Sequence, residues 1–235
     1  MSELDFMGFI RSESAAFRAA ALDGPLDAVV PACPDWTLGD LIFHLTEVQY
    51  FWGKMVRHNY DTWEEVLRPA KVRDENLVPT FDLFCEAMVN VLSSRDESSP
   101  SWSWSDRPES KTVGWVQRRQ AHEAAMHRWD IESAAYGVER AQPITCALAI
   151  DGIDEFLAYF AVDRSNTAVP ILIEADDCSQ RWLLHGDLGP SVGTLRASTA
   201  SDLLLALWRR IPLDGMSIDG RDGAVEAAIS AVVHE

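Results

Sequence analysis

Apolar residues recur at helical spacing through most of the first 140 positions of this 235-residue chain. The clearest stripe runs to about His58, with apolar side chains at intervals of three and four residues. Its members are Leu38, Leu41, Ile42, Leu45, Val48 and Trp52. Thr37, followed three residues later by Asp40, predicts the start of this helix, because the two side chains cap each other's free backbone N–H groups.

Three further helices are predicted on the same grounds, over residues 3–22, 80–93 and 111–136. A serine-rich stretch with two prolines, residues 95–110, predicts the loop before the last of them. Four helices with connections of this length predict an all-α four-helix bundle.

The pattern changes after Pro143. One helix, from Cys146 to about residue 162, is followed by three short runs rich in β-forming residues and separated by turn-like residues, which predicts an antiparallel meander. The runs are 169–174, 180–185 and 192–197, and helices at 200–210 and 223–233 complete a small α+β unit. We therefore expect two domains, residues 1–142 and 143–235.

The charge balance limits the classes of binding partner that the chain is expected to have. Acidic residues outnumber Lys and Arg by 37 to 20, a net charge of −17. This disfavours binding to nucleic acid or to anionic membranes, both of which need clustered positive charge. No apolar run is long enough for a membrane span, the acidic start is unlike a signal peptide, and the four cysteines form no C-x-x-C pair. These features predict a cytoplasmic protein with reduced thiols.

The predicted fourth helix carries the most informative segment, in which Glu123 and His127 lie one turn apart and about 40° from each other around the helix. Such a pair presents two metal ligands from a bundle helix, or is a solvated ion pair. His122 points away from this line, which makes it outward-facing or a supporting residue.

His44 supplies a candidate third ligand. It lies about 20° from Phe51 and 40° from Val48 on the apolar stripe of the second helix. A histidine there is either a hydrogen-bonded core residue or a ligand, because leaving it unpaired costs about 1–3 kcal/mol. Two histidines and one carboxylate leave a coordination position open, as in catalytic zinc sites.

Two segments resemble the mycothiol-dependent maleylpyruvate isomerase family: CPDWTLGDLIFHL, from Cys33 to Leu45, and RRQAHEAAMHRWDIE, from Arg118 to Glu132. The stretch from Ser198 to Asp214 resembles its C-terminal domain, so that the similarity covers nearly the whole chain. The resemblance implies a DinB-like metal-binding bundle followed by a small α+β domain. It also implies that the metal, usually zinc, is held by His44, Glu123 and His127.

The resemblance further implies thiol chemistry. A low-molecular-weight thiol, mycothiol, is activated at the metal and then adds to a small electrophile such as maleylpyruvate. Rotation and loss of the thiol give the trans isomer, whereas relatives transfer the thiol and stop there. An arginine of the C-terminal domain is expected to bind thiol or substrate, and Arg210 is preferred over Arg209.

Two alternative roles remain open for each of several other residues. Asp130 either supports a ligand by a hydrogen bond or forms a surface salt bridge, and Arg119 either binds an anionic substrate or lies at the rim of the bundle. Trp102 and Trp104 are core anchors or line a pocket mouth. The remaining histidines are interpreted as structural or exposed: His58, His185 and His234.

Two classes of function stay open. The first is a metal- and thiol-dependent isomerase or S-transferase, with a thiol and an electrophile as its partners, acting as a monomer or homodimer. The second is a non-catalytic protein that binds a small molecule or regulates another protein on the same scaffold. The complete ligand set favours the enzyme, because a retired site would have lost a ligand.

Overall fold

The structure is a computed structural model that describes residues 4–161, 169–186, 189–220 and 223–230. The chain divides into two compact units, Met1–Gln142 and Pro143–Glu235.

The first unit is built from four long helices. They are α1 (Phe6–Asp23), α2 (Leu38–His58), α3 (Leu77–Ser93) and α4 (Val113–Tyr136). Helix α1 packs along α4 and α2 packs along α3, while α2 also contacts α4 and α1 contacts α3. Fully buried side chains such as Phe17, Leu41, Leu45 and Phe81 fill the space between the helices. Single 3₁₀ turns lie at Trp63–Glu65, Asp74–Asn76, Pro108–Ser110 and Val138–Arg140.

The first residue of α3 differs from the start predicted at residue 80. The helix begins at Leu77, so that Pro79 lies in its first turn. Proline is tolerated there because the first backbone N–H groups of a helix have no partner within it.

A small hairpin between α1 and α2 is not predicted by the sequence pattern. Strands β1 (Val29–Val30) and β2 (Cys33–Thr37) pair antiparallel with each other. The backbone N–H groups of Leu38 and Gly39 donate to the carbonyls of Ala28 and Leu26, at 2.8 and 2.9 Å. The hairpin thereby fixes the first turn of α2, the helix that carries His44.

The second unit combines helices with a four-stranded sheet. Its elements are α5 (Cys146–Tyr159), β3 (Ile171–Ala175), β4 (Arg181–Leu184), β5 (Gly193–Ala197), α6 (Ala200–Leu207), β6 (Ser217–Gly220) and α7 (Ala224–Ser230). The strand order is β4-β3-β5-β6. The outer pairs are antiparallel, whereas β3 and β5 are parallel.

The expected antiparallel meander is therefore wrong, because β5 pairs with β3 and not with β4. The burial pattern gives the physical reason. Four of the five residues of β3 are buried, as in a central strand with neighbours on both sides, whereas β4 alternates between exposed and buried positions, as in an edge strand. Strand β6 was missed because all four of its residues are exposed and show no alternation.

The last helices are shorter than expected within the described residues. Helix α6 ends at Leu207, and Arg209 has a φ of 58°, a left-handed conformation that cannot continue a helix. Position 162 and positions 231–233, where the sequence pattern predicts helix ends, lie outside the described residues. Within those residues, every helix is too short or too polar to cross a membrane.

The predicted cap of α2 is present. Thr37 Oγ1 accepts a hydrogen bond from the Asp40 N–H at 3.2 Å, and Asp40 Oδ2 accepts one from the Thr37 N–H at 3.0 Å. Lys71 Nζ lies 2.6 Å from the other carboxylate oxygen of Asp40. The hydrogen bond from Lys71 is the largest cause that lowers the pKa of Asp40, and the hydrogen bonds from Thr37 come next. Together they bring this pKa to about 2.

We predict that Asp40→Asn lowers the free energy of unfolding by about 1 kcal/mol near neutral pH, because the negative charge of the cap is lost. The folded-state pKa is depressed, so this contribution is present above the ordinary value of 3.8 and is lost as the pH falls toward about 2. Urea unfolding between pH 7 and pH 3 measures the difference. Asp35→Asn, at an exposed position of β2, is the matched control, and a pH-independent difference for Asp40→Asn would contradict the assignment.

Candidate metal centre

The structure brings together three side chains from two helices. His44 lies in the second turn of α2, and Glu123 and His127 lie one turn apart in the middle of α4. One donor atom from each residue lies within 4.8 Å of the other two. Glu123 Oε1 is 3.7 Å from His44 Nε2 and 3.1 Å from His127 Nε2.

Aromatic packing holds the two imidazoles. The indole of Trp36, in β2, lies 4.7 Å from the ring of His44, measured between centroids. The rings of His44 and His127 meet edge to face at 4.9 Å. The hairpin before α2 therefore contributes to the position of His44, a contact that the sequence pattern does not predict. Trp36 precedes the helix, so no helical periodicity indicates its contact.

Asp130 supports His127 from behind. Its Oδ2 lies 3.0 Å from His127 Nδ1, and Asp130 is only 1% exposed, so that it does not lie on the surface of the helix. When Nδ1–H donates to this carboxylate, Nε2 is the ring nitrogen that faces Glu123 and His44. Histidines that bind metals are commonly oriented in this way by a carboxylate.

Arg119 is paired with the other oxygen of the candidate carboxylate ligand. Its guanidinium donates to Glu123 Oε2, so that Oε1 is the oxygen facing the histidines. The Arg119 side chain is 8% exposed. The expectation that it lies at the rim of the bundle is therefore wrong, and its substrate-binding role stays a prediction. The spacing of Arg119 and Glu123, one helical turn, was the sequence signal for this pair.

The electrostatics keep Glu123 ionised. Burial opposes its charge, but the positive charge of Arg119 and the hydrogen bonds from His127 and His44 outweigh this penalty and hold the Glu123 pKa well below its usual range. For His127, burial disfavours the charged ring, but the hydrogen bonds to Asp130 and Glu123 prevail and raise its pKa to about 9. The site therefore favours positive charge between the carboxylates of Glu123 and Asp130.

The donor set fits a divalent metal ion. Ligands of a tetrahedral zinc at 2.0–2.1 Å lie about 3.3 Å from one another. The two observed distances of 3.1 and 3.7 Å bracket that value. Small side-chain rotations would bring the three donors to a common ion. The arrangement is open on one side, since the side chain of His44 is 33% exposed whereas that of His127 is 9% exposed.

The other candidate residues do not join this group. His122 is buried, with its ring 6.3 Å from that of Phe6, so the outward-facing alternative is wrong. His58 is exposed and stacks on Tyr60, and His185 is buried with its Nε2 3.1 Å from the Ala228 carbonyl oxygen. His234 lies outside the described residues.

Arg210 belongs to the second unit, where its Nη1 donates to the Trp208 carbonyl at 3.0 Å. Its binding of thiol or substrate stays a prediction.

This helical unit, with two histidines and a carboxylate converging from two helices, defines a candidate metal-binding protein. The sequence model of the mycothiol maleylpyruvate isomerase N-terminal domain matches residues 9–132, more than half of the chain, and the chain belongs to this family. The resemblance seen in the sequence is confirmed, and the candidate ligands all lie within the matched range.

A solved structure shares the fold. The chain is similar to the crystal structure of a histidine-to-alanine mutant of mycothiol-dependent maleylpyruvate isomerase, with a TM-score of 0.68 and 9% sequence identity. The similarity covers 92% of this chain and 93% of that one. A search of curated proteins finds no significant match.

The raised pKa of His127 predicts a pH-dependent stability of the chelator-treated protein. The folded-state pKa of about 9 exceeds the ordinary value of 6.5, so protonation of His127 stabilises the fold fully below pH 6.5. This contribution is lost as the pH rises through about 9. The stability difference between wild type and His127→Gln, measured by urea unfolding without metal, should therefore shrink between pH 6 and pH 10. An NMR titration in which the His127 ring changes near pH 6.5 would contradict this.

Proposed function

We propose that this protein is a metal- and thiol-dependent enzyme that acts on a small electrophilic molecule. The observation that carries the proposal is the convergence of His44, Glu123 and His127 from two helices onto one point. Membership of the family supports mycothiol as the thiol and cis–trans isomerisation as the reaction.

The metal we propose is zinc, held by the two imidazoles and by Glu123. Two histidines and one carboxylate are a ligand set of catalytic zinc sites, which keep a further position for water or substrate. A zinc ion in this set would lower the pKa of a bound thiol and so favour the thiolate, the nucleophilic form. With a metal site of this kind, the four helices of the first unit would be a metal-binding bundle of the DinB-like type.

Residues beside the proposed ligands orient His127 and keep Glu123 ionised. Asp130 lies against Nδ1 of His127 and directs its Nε2 toward Glu123, where a metal ion would take the place of the Nε2 proton. Arg119 keeps Glu123 ionised and occupies its Oε2, which leaves Oε1 for the metal. Glu123 is therefore a poor proton acceptor, and its role is that of a ligand.

The open side of the site admits the reactants. His44 is the most exposed of the three proposed ligands, so the thiol would approach from its side. In the isomerisation, the sulfur bonds to one carbon of an activated double bond and the electron pair of that bond moves toward the conjugated carbonyl. Rotation about the resulting single bond and return of the electron pair expel the thiol. S-transfer is the outcome when the adduct is protonated and released.

We predict that wild-type protein purified without chelator contains about one zinc ion per chain, and that His44→Ala and His127→Ala each lose most of it. His58→Ala is a matched control, because His58 is an exposed histidine at the end of the same helix α2. Elemental analysis measures the zinc content, and an assay of thiol-dependent maleylpyruvate turnover then measures the activity. Wild-type protein that binds no metal even after zinc is added would refute the mechanism and leave the non-catalytic binding protein as the better interpretation.

Asp130 gives a second prediction. Asp130→Asn should weaken zinc binding by about tenfold and Asp130→Ala by up to about 100-fold, because the charge, and then the whole acceptor, behind His127 is lost. Competition with a chelator measures the affinity. The thermal stability of the metal-free variants separates this effect from a general loss of fold. Equal affinities in all three proteins would contradict the supporting role of Asp130.

A further inference from the structure

The two histidines of the candidate metal centre are supported in different ways. Nδ1 of His127 lies 3.0 Å from the buried carboxylate of Asp130, three residues further along α4. Glu47 stands three residues after His44 on α2, yet among the described residues no hydrogen bond reaches Nδ1 of His44. The carboxylate of Glu123 lies 3.7 Å from its other nitrogen, Nε2. The orientation of the His44 ring therefore depends on contacts other than a carboxylate behind it.

Asp40 lies one turn before His44 and about 40° from it around α2, but both of its oxygens are already bonded. Its Oδ2 accepts from the N–H and the hydroxyl of Thr37, at 3.0 and 2.7 Å. Lys71 Nζ donates to Oδ1 at 2.6 Å. The cap of the helix therefore occupies the carboxylate that could otherwise orient the His44 ring.

An aromatic contact takes the place of that hydrogen bond. The centroids of the Trp36 indole and the His44 ring are 4.7 Å apart, and the two planes meet at 52°. The ring of His127 lies 4.9 Å from that of His44, so that His44 contacts one ring from β2 and one from α4. Aromatic pairs at such distances attract each other beyond the effect of the apolar area that they bury.

The backbone around Trp36 is fixed. Trp36 immediately precedes Thr37, the N-cap of α2, and Thr37 pairs with Val29 in the hairpin. The N–H of Leu38 donates to the carbonyl of Ala28 at 2.8 Å. The partly buried indole also packs against the apolar core between the helices. A side chain held in this way restricts the rotamers that are open to its neighbour.

We propose that Trp36 is a positioning residue of the metal centre, because its indole sets the orientation of the His44 imidazole that binds the ion. Trp36 supports His44 by packing, whereas Asp130 supports His127 by a hydrogen bond. The role rests on the proposed function, since it needs a metal ion at the three ligands. The orientation of the His44 ring exists without the ion and is measured in metal-free protein.

The contact affects how much freedom His44 loses when the ion binds. A side chain that is already oriented pays little conformational entropy on binding. Without the indole, His44 would populate several rotamers on the open side of the site, where 33% of its side chain is exposed. Loss of the contact should therefore lower the affinity for zinc while the set of ligands stays the same.

Three substitutions separate the ring contact from packing in general. Trp36→Phe keeps an aromatic ring, Trp36→Leu keeps apolar packing against the core, and Trp36→Ala removes both. Trp63→Ala is the control, because Trp63 is a 53% exposed tryptophan of the same unit. Competition with a chelator gives the Kd for zinc of each protein. NMR of the metal-free proteins gives the ring signals of His44, which are assigned with His44→Ala.

We expect Trp36→Leu and Trp36→Ala to weaken zinc binding about three- to tenfold, whereas Trp36→Phe and Trp63→Ala should change it less than about twofold. In the His44→Ala background, Trp36→Leu should change the residual affinity for zinc less than about twofold, because the ring that Trp36 positions is absent. In metal-free Trp36→Leu, the ring signals of His44 should move from their wild-type positions, since the indole no longer lies beside them.

An equal loss of affinity in the His44→Ala background would overturn the role, because Trp36 would then act through the fold of the hairpin. So would His44 ring signals that stay in place in Trp36→Leu, or a Trp36→Phe variant that binds zinc as weakly as Trp36→Ala. Wild-type protein that binds no zinc would refute the proposed function together with this role. Zinc binding that Trp36→Leu leaves unchanged would refute the role of Trp36 alone.

Discussion

The first unit depends on the pairing of charges along α4. This helix is buried over most of its length, yet it carries arginine, histidine, aspartate and glutamate side chains into the interior. A buried charge that loses its partner destabilises a protein by about 3–5 kcal/mol, so each of these groups constrains its neighbours. The geometry of the candidate metal centre follows from this constraint, because Arg119 and Asp130 pair with two of the three proposed ligands.

Paired charges also occupy another face of α4. The guanidinium of Arg128 donates to Glu13 of α1 at 2.7 Å and to Glu132 at 2.9 Å, and it also bonds to the carbonyl of Gln142. Turning α4 by one residue would rotate its side chains by about 100° and break the pairs on both faces. Such a helix has one rotational setting, which is the setting that directs Glu123 and His127 toward α2.

The sequence was most informative where chemistry and helical periodicity coincide. The spacing of Glu123 and His127 and the position of His44 on an apolar stripe suffice to select the three side chains that the structure brings together. Their convergence needed tertiary packing or a family resemblance, since periodicity does not show which helices face each other. The contact of Trp36 with His44 was missed for the same reason, whereas the pairing of Arg119 with Glu123 lies within one helix and follows from their spacing of one turn.

The sheet of the second unit shows another limit. Regular spacing of short strands indicates that a sheet forms but carries little information about which strands are neighbours. The parallel pairing of β3 with β5 places the most buried strand in the interior of the sheet, and the chain continues through the edge strand β4 before it returns. Local composition favoured the simpler meander, and burial of β3 on both faces favoured the mixed sheet.

The loop of residues 95–110, which carries Trp102 and Trp104, packs on α2 and α4 more than two turns away from the candidate ligands, and this placement has an evolutionary consequence. The hydrogen bonds that shape this loop join it mainly to itself and to the start of α4, several turns from Glu123. Substitutions that remodel the loop would therefore leave the pairing of Arg119, Asp130 and the three proposed ligands unchanged. In a scaffold organised in this way, the sequence of the loop can change without disturbing the charge pairs of the candidate metal centre.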